Sequence, residues 1–579
     1  MNPFMQQKFQ PERSALRVTF GSNAASLLIV LLFGLLIINC IFIDRGYFDA
    51  LPQDLFGFLD SVYRTHLGQI PHRDFSTPQG PLYYLLPSYF ISLGSNPIAS
   101  IRYYHVLNLL AALGIVLYAQ RTRLDGVTAV FLGALVALAL ACKQLLGESP
   151  FFSTEGMFYN RIGFAFLTLE LVLLLPPSAK SDLLSVVDGI IVGLICAMLF
   201  YIKITFGIAA IGLALMSSIS DGRTGRGKAQ LLLASVVVFI LVAVAVEFVY
   251  GVRFAWLRDI QMAILSSSGS QPWKKFSTKL ASNLPEVVFC IVIPLIVMRL
   301  AGLRMRSYWF IYGAVLAFFS VALLVYSAQL GVLFLPLVFP IFALSKFDQS
   351  GELRTTSRPY ALAIKLILLF VIAAIAYPMA LNVAYSSARY WTASRLPGAA
   401  DAVGSLRTRE TSEGLAADVV AMTSANALEL VEGSPPLDAF MAGRESKGRV
   451  FWDNLSFSEF GFYLSEGLRA AKAGCPQGAR IAIVDYVNPF PLLLGWPEGG
   501  GMAWVAVDYL VSKAHHLDEK EMYRGIDCVM IPKMPLDPSA KQFLLETYGA
   551  FLEQNYKKTF DSSLWTVMSA GRTPSNSGN

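Results

Sequence analysis

The sequence predicts a polytopic α-helical membrane protein of about 11 transmembrane helices, followed by a soluble α/β domain. Three observations carry that expectation. The first is composition: 55% of the 579 residues are hydrophobic and 15% charged, with a mean hydropathy of +0.54, which leaves too little polar surface to cover a water-soluble chain of this size. The second is periodic: apolar runs of about 20 residues recur from Leu27 to Ala380 and then stop, each of a length that crosses the hydrocarbon of a bilayer. The third is charge. Residues 1–384 hold 28 Lys/Arg against 18 Asp/Glu, net +10, and residues 385–579 hold 18 against 22, net −4. A basic excess confined to the loops of the apolar part orients a membrane protein and gives no reason to expect nucleic acid as a partner.

The elements follow in order. A leader with Lys8, Arg13 and Arg17 precedes the apolar run Ala24 to Ile43. That run is too long for a signal-peptide core, so it reads as an uncleaved anchor with a cytoplasmic N-terminus. Further spans are expected at 99–119, 126–145, 160–176, 185–202, 204–218, 229–250, 285–299, 307–326, 329–345 and 360–384. This count places Arg121/Arg123, Lys180, Arg223/Arg226/Lys228, Arg299/Arg304/Arg306 and Lys346/Arg354/Arg358 in cytoplasmic connections. It takes Leu82 to Leu93, flanked by Pro81 and Pro97, as a short juxtamembrane helix. The domain 1–384 then presents loops 44–98, 146–159 and 251–284 on the outer face, and 385–579 is periplasmic, in a bacterial inner membrane. Cys40, Cys142, Cys196 and Cys290 fall in or beside spans and read as packing residues, whereas Cys475 and Cys528 lie where a disulfide is allowed. No CxxC or HExxH motif suggests a zinc site.

A connection as long as 44–98 normally has a function. It is rich in aromatic residues and Pro and carries Asp44, Asp49, Asp54, Asp60 and Asp74, and carboxylates at a lipid surface are costly. The next outer loop contributes Glu148 and Glu155 and leads into Tyr159, Asn160 and Arg161; Lys203 interrupts two apolar runs. Loop 251–284 adds Arg253, Arg258, Lys274 and Lys275 around a Ser/Gly/Pro-rich stretch suited to gating. Each acid also has a plainer reading, as a solvated charge or helix cap, and Lys203 can simply reach the headgroups. In the C-terminal part, RIAIVDYV, MAWVAVDYL and DCVMIP read as strands and AKQFLLETYGAFLEQ as an amphipathic helix. The WPEGGG run at 496–501 lacks the context of a phosphate-binding loop and reads as a turn, as does Asn488-Pro489-Phe490.

One pattern goes further. Asp54 stands 14 residues before Gly68, Pro71 is followed by His72-Arg73-Asp74-Phe75, and Pro81-Leu82-Tyr83-Tyr84 opens the next helix. This resembles the first outer loop of the GT-C superfamily of membrane glycosyltransferases, which includes the lipid A aminoarabinose transferases and the protein O-mannosyltransferases. Those proteins often have Asp-Glu where this chain has Asp54-Leu55, and Tyr where it has His72. The resemblance covers the membrane part through the Tyr159-Asn160 and Lys203 segments.

It implies a polyprenyl-phosphate-linked sugar donor and a glycan, lipid or protein acceptor. It further implies Asp54 as general base and Glu155 as a second acidic residue. Lys203, Arg73, Asp74, His72, Tyr83, Arg161, Arg253 and Arg258 become candidate substrate-binding residues. No particular cofactor is implied, and a divalent cation stays open at Asp54-Leu55. Two other functions use the same materials. A transporter or flippase of lipid-linked glycans would show internal repeats and charged mid-span residues, and a ligase or polymerase would depend on loop 251–284.

Overall fold

The computed structural model describes residues 12–43, 46–48, 51–144, 149–175, 182–220, 223–268, 358–395, 457–562 and 564–571, with scattered positions beyond these. The runs expected at 285–299, 307–326 and 329–345 fall wholly or largely outside the described residues. So do Asp44, Asp49, Glu148, Lys180, Lys274, Lys275, Cys290, Arg299, Arg304, Arg306, Lys346 and Arg354.

The membrane part is built from α1 (Glu12–Ile38, extended by a π turn Asn39–Ile43), α4 (Pro97–Thr122), α5 (Gly126–Ala141), α6 (Phe158–Leu174), α7 (Asp182–Ile202), α8 (Ile204–Ser220), α9 (Gly225–Val244, with a π turn Ala245–Val249) and α11 (Arg358–Thr392). Two shorter helices, α2 (Pro52–His66) and α3 (Leu82–Ser92), lie in the connection between α1 and α4, and α10 (Trp256–Ser268) follows α9. Four helices among the described residues are long and apolar enough to cross a membrane: Asn23–Ile43, Pro97–Thr122, Asp182–Ile202 and Gly225–Val249. Gly126–Ala141 and Ile204–Met216 are shorter apolar helices. The chain is thus a multi-pass membrane protein, and the described spans fall short of the eleven expected.

These helices carry apolar side chains on both faces. Ile29, Phe33 and Leu36 of α1 are buried while Leu27, Leu28, Leu31 and Leu35 are exposed, an arrangement that is stable where the outer solvent is lipid. Helix starts are written locally: Asn96 accepts from Ala99 N–H, Asp125 from Thr128 N–H and Thr224 from Gly227 N–H, satisfying first-turn donors. The α7–α9 pair packs through Gly189 and Gly193, where an added methyl would meet Leu231 O at 2.4 Å and Ser235 O at 2.5 Å. Small residues one turn apart let two backbones approach when no hydrophobic effect drives them together. At one end of the bundle Arg123 and Arg223 converge on Asp188, which also accepts from the Tyr118 hydroxyl. Their shared carboxylate explains how two arginines are buried there.

The C-terminal domain holds a mixed sheet of β3 (Ile481–Ile483), β4 (Cys528–Pro532), β6 (Trp565–Ala570) and β5 (Tyr556–Asp561) in that order, and β1 (Ser394–Arg395) pairs with β2 (Arg407–Thr408) apart from it. β3 and β4 are parallel; β4–β6 and β5–β6 are antiparallel. Helices α12 (Phe457–Gly474) and α13 (Pro538–Asn555) complete this part, and Cys475 and Cys528 form a disulfide. Strands at Ile481 and Cys528 and the helix from Pro538 match expectation. The segment Met502–Leu510 is a correction: it forms no strand of the sheet. Its backbone is used in single bridges, Met502 with Ser76 of the outer loop and Trp504 with Val487, so its apolar residues serve a seam between domains and not a sheet face.

That seam is extensive. Arg64 on α2 bonds Asp60 at 2.8 Å, Gly499 O at 2.8 Å and Glu498 at 3.0 Å, all buried. Ser76 N–H donates to Gly501 O and Ala503 N–H to Ser76 O, Arg524 donates to Asp74 O at 2.7 Å, and Phe56 packs on Phe460. The connection between α1 and α4 therefore packs directly on the C-terminal part of the chain.

Candidate active site

Asp54 occupies the first turn of α2, whose entry residue Leu51 has φ +52°. Its carboxylate retains an opening to solvent yet has no hydrogen-bond partner among the described residues. A methyl on Gly156 would lie 2.8 Å from Asp54 Oδ2, so the second outer loop runs directly against it. Tyr159 and Tyr486 lie within reach of its charge. Apolar and aromatic surroundings with no compensating donor raise its pKa from 3.8 to about 7.

Glu155 lies in the same loop but in another state. Its oxygens face His105 Nε2 at 3.0 Å and Arg161 Nη2 at 3.4 Å, and Arg161 also donates to Gln144 O at 2.9 Å. Burial pulls the Glu155 pKa up, but His105, Arg161 and Lys143 more than offset it and hold the group below the ordinary range. Glu155 and Arg161 therefore form a closed ion cluster that fixes the loop beside Asp54.

Lys203, in the break between α7 and α8, donates to Asn160 Oδ1 at 3.1 Å and sits 4.4 Å from the centre of the Tyr159 ring. It lines a cavity of about 220 Å³ with His72, Thr77, Trp256, Asp259 and Tyr509. Apolar groups such as Phe200, Ile260, Ile264 and Leu510 form much of the remaining wall, the usual character of a small-molecule site. Tyr159 connects the two halves: Lys203 lies over its ring, and the phenol feels the charge of both Asp54 and Tyr509.

The other candidates are distributed around this centre. Arg73 and Asp74 form a partly exposed pair at 2.9 Å, with Ile70 N–H donating to Asp74; burial would raise Asp74, yet these partners lower it. Arg258 bonds Glu521 and donates to His72 O at 3.2 Å, closing the wall from the C-terminal domain. Arg253 is exposed, with φ +55°. Tyr83 is buried beneath Tyr159, ring centres 5.6 Å apart, and serves packing.

Among the described residues, every non-glycine residue with positive φ flanks these segments: Leu51, His72, Met157, Arg253, Phe254 and Asp508. Such backbone is costly, and it persists where surrounding structure enforces a geometry. Asp259, Tyr486, Trp256 and Tyr509 escaped the sequence reading. They approach from segments far along the chain, and no local spacing marks them. Among the described residues no group of three His, Cys, Asp or Glu side chains is placed to hold a metal ion. Leu55 supplies no second carboxylate next to Asp54.

No family model matches the chain, and no curated protein matches it. Two solved structures are similar in fold. One is ArnT from Cupriavidus metallidurans in the apo state, at 14% identity and a TM-score of 0.40 over 95% of this chain and 100% of that one. The other is ArnT from the same organism bound to undecaprenyl phosphate, at 13% identity and 0.39 over 94% and 99%. An overlap this loose carries no argument about chemistry, which rests on the site itself.

Proposed function

We propose that the chain is a membrane glycosyltransferase. In this reading it moves a sugar from a polyprenyl-phosphate-linked donor to a glycan, lipid or protein acceptor on the periplasmic face of the bacterial inner membrane. One observation carries the reading: a carboxylate with no partner among the described residues, raised to about 7, packed against Gly156, three residues before the Tyr159 whose ring meets the lysine in the wall of an apolar cavity. The GT-C-like spacing around Asp54 in the sequence selects the same residue. The Cys475–Cys528 disulfide supports an oxidising compartment for the C-terminal domain.

Asp54 takes the proton of the acceptor hydroxyl as the oxygen attacks the anomeric carbon. The carbon–oxygen bond to phosphate breaks through an oxocarbenium-like state, and the lipid phosphate leaves with the bonding pair. Lys203 opposes the charge that builds on that phosphate, with Arg73, Arg253 and Arg258 adding positive potential at the rim. The Glu155–Arg161 cluster holds the loop that places Asp54, and Tyr83 supports Tyr159 from below.

Asp54→Asn tests the proposal in membranes given radiolabelled lipid-phosphate sugar. Transfer is expected to fall by about 10²-fold or more at normal protein abundance. Undiminished transfer removes Asp54 from the mechanism. Mass spectrometry of envelope glycans from a deletion strain identifies the sugar and acceptor.

A further inference from the structure

The connection between α5 and α6 is held from a helix far along the chain. Asn382 lies on α11, within an apolar run, and is fully buried. Its amide meets the backbone of that connection on two sides. Oδ1 accepts from Lys143 N–H at 2.8 Å, and Nδ2 donates to Pro150 O and Phe152 O, each at 2.9 Å. One donor facing Oδ1 and two carbonyls facing Nδ2 fix which way the amide points. A polar side chain on a helix in lipid is costly unless it finds such partners, and here the partners are three backbone groups of one loop. The grip continues toward Asp54. Thr154 N–H donates to Lys143 O at 2.8 Å, Thr154 Oγ1 accepts from Gly156 N–H at 2.9 Å, and a methyl on Gly156 would lie 2.8 Å from Asp54 Oδ2. Ser153 and Thr154 are fully buried along the way.

We infer that Asn382 is a positioning residue for the proposed glycosyl transfer: by clamping residues 149–157 it keeps Gly156 against Asp54 and water away from that carboxylate. The inference rests on Asp54 as the general base. It adds a residue that touches neither substrate nor Asp54 and acts through the backbone of the connection. Burial raises Asp54 from 3.8 to about 7. Among the described residues, the titratable groups that face it are the phenols of Tyr159 on α6 and Tyr486 of the C-terminal part, both uncharged at neutral pH. The packing of the connection therefore sets how readily Asp54 ionises, and loosening it admits water and favours the charged form.

Asn382→Leu keeps the approximate size of the side chain, suits a helix in lipid and removes all three hydrogen bonds. Two measurements on the full chain read its effect. In membranes given radiolabelled lipid-phosphate sugar, the acid limb of the pH–rate profile is expected to move down from about 7 by about one pH unit or more. In the purified chain, amide exchange across 149–157 is expected to rise about tenfold or more. A merely structural Asn382 would lower protein abundance and leave the limb in place, so an unmoved limb overturns the inference, as does unchanged exchange. Asn382→Ser, which is too short to span the same groups, is expected to behave alike and serves if the leucine variant fails to accumulate. Ser387→Ala is the control on the same helix: its hydroxyl bonds Asn39 Oδ1 at 2.8 Å and not the connection, and the limb is expected to stay at about 7. A downward shift in that control equal to that of Asn382→Leu overturns the inference by assigning the effect to α11 as a whole. Transfer that survives Asp54→Asn sinks the base assignment, whereas the exchange measurement still judges the clamp, so the two failures are told apart.

Discussion

Asp54 and Asp60 lie less than two turns apart on α2 and meet opposite environments. Asp60 is paired at 2.8 Å with Arg64, whereas Asp54 has no such partner and is raised to about 7 by burial. A general base acts as the carboxylate, so transfer is expected to increase as pH rises through about 7 and to level off above it. A rate that is flat from pH 6 to pH 8.5 would separate Asp54 from the limiting step. Gly156 offers a finer probe. A methyl there meets Asp54 Oδ2 at 2.8 Å, so Gly156→Ala is expected to lower kcat with unaltered abundance, by displacing the carboxylate and not by unfolding. Both effects belong to single side chains, and assays of transfer read them directly. The sequence offered Asp54 only through the resemblance carried by its spacing to Gly68 and the following motif; the residues alone did not separate it from Asp49 or Asp60. Its missing partner was not legible there either, because that depends on what Gly156, Tyr159 and Tyr486 bring around it.

Among the elements, spans and their boundaries were largely legible. Apolar runs announce α4, α5 and α9, and Asn96, Asp125 and Thr224 cap their starts through local physics. The expected strand at Met502–Leu510 was misread because alternation reports two unlike faces and cannot say whether the partner is a sheet or a loop from another domain. Pairing of Cys475 with Cys528, 53 residues apart, was equally beyond sequence, since only the sheet brings α12 and β4 together. Cys528→Ser is expected to lower the stability of the C-terminal domain by about 4 kcal/mol, from the entropy of a loop of that length. Thermal unfolding of the purified chain with and without reductant measures it; equal melting would remove the disulfide from the stability of this domain.

At the scale of the whole molecule, the decisive feature is the seam where the outer loop enters the C-terminal domain. Asp60, Arg64 and Glu498 place two carboxylates and one cation in a dry interface. Burial raises both acids, and Arg64 only partly offsets this. A carboxyl whose folded pKa is raised stabilises the seam fully below its unfolded pKa and loses that contribution as pH climbs through the folded value. The seam is therefore expected to loosen from the ordinary carboxylate range upward, read as a fall in amide protection around 60–76 and 496–503 from pH 5.5 to pH 8.5 after correction for the intrinsic pH dependence of exchange. Glu498→Gln is expected to flatten that dependence. Arg64→Met leaves two buried acids without their cation and is expected to cost about 3–5 kcal/mol.

By itself the sequence determined that this chain lives in a bilayer, where its apolar runs lie, that an acid-rich loop follows the first span and that a stretch of ordinary soluble composition follows the apolar part. These are consequences of composition, period and charge, which act along the chain. Tertiary structure decided which acid is left without a partner and which is clamped, as Asp54 and Glu155 do although both lie in connections between apolar runs. It also decided that His72 meets Asp259 and that Tyr509 reaches the cavity beside Lys203. Burial, partner and orientation arise from segments that are distant in sequence, so no local pattern encodes them.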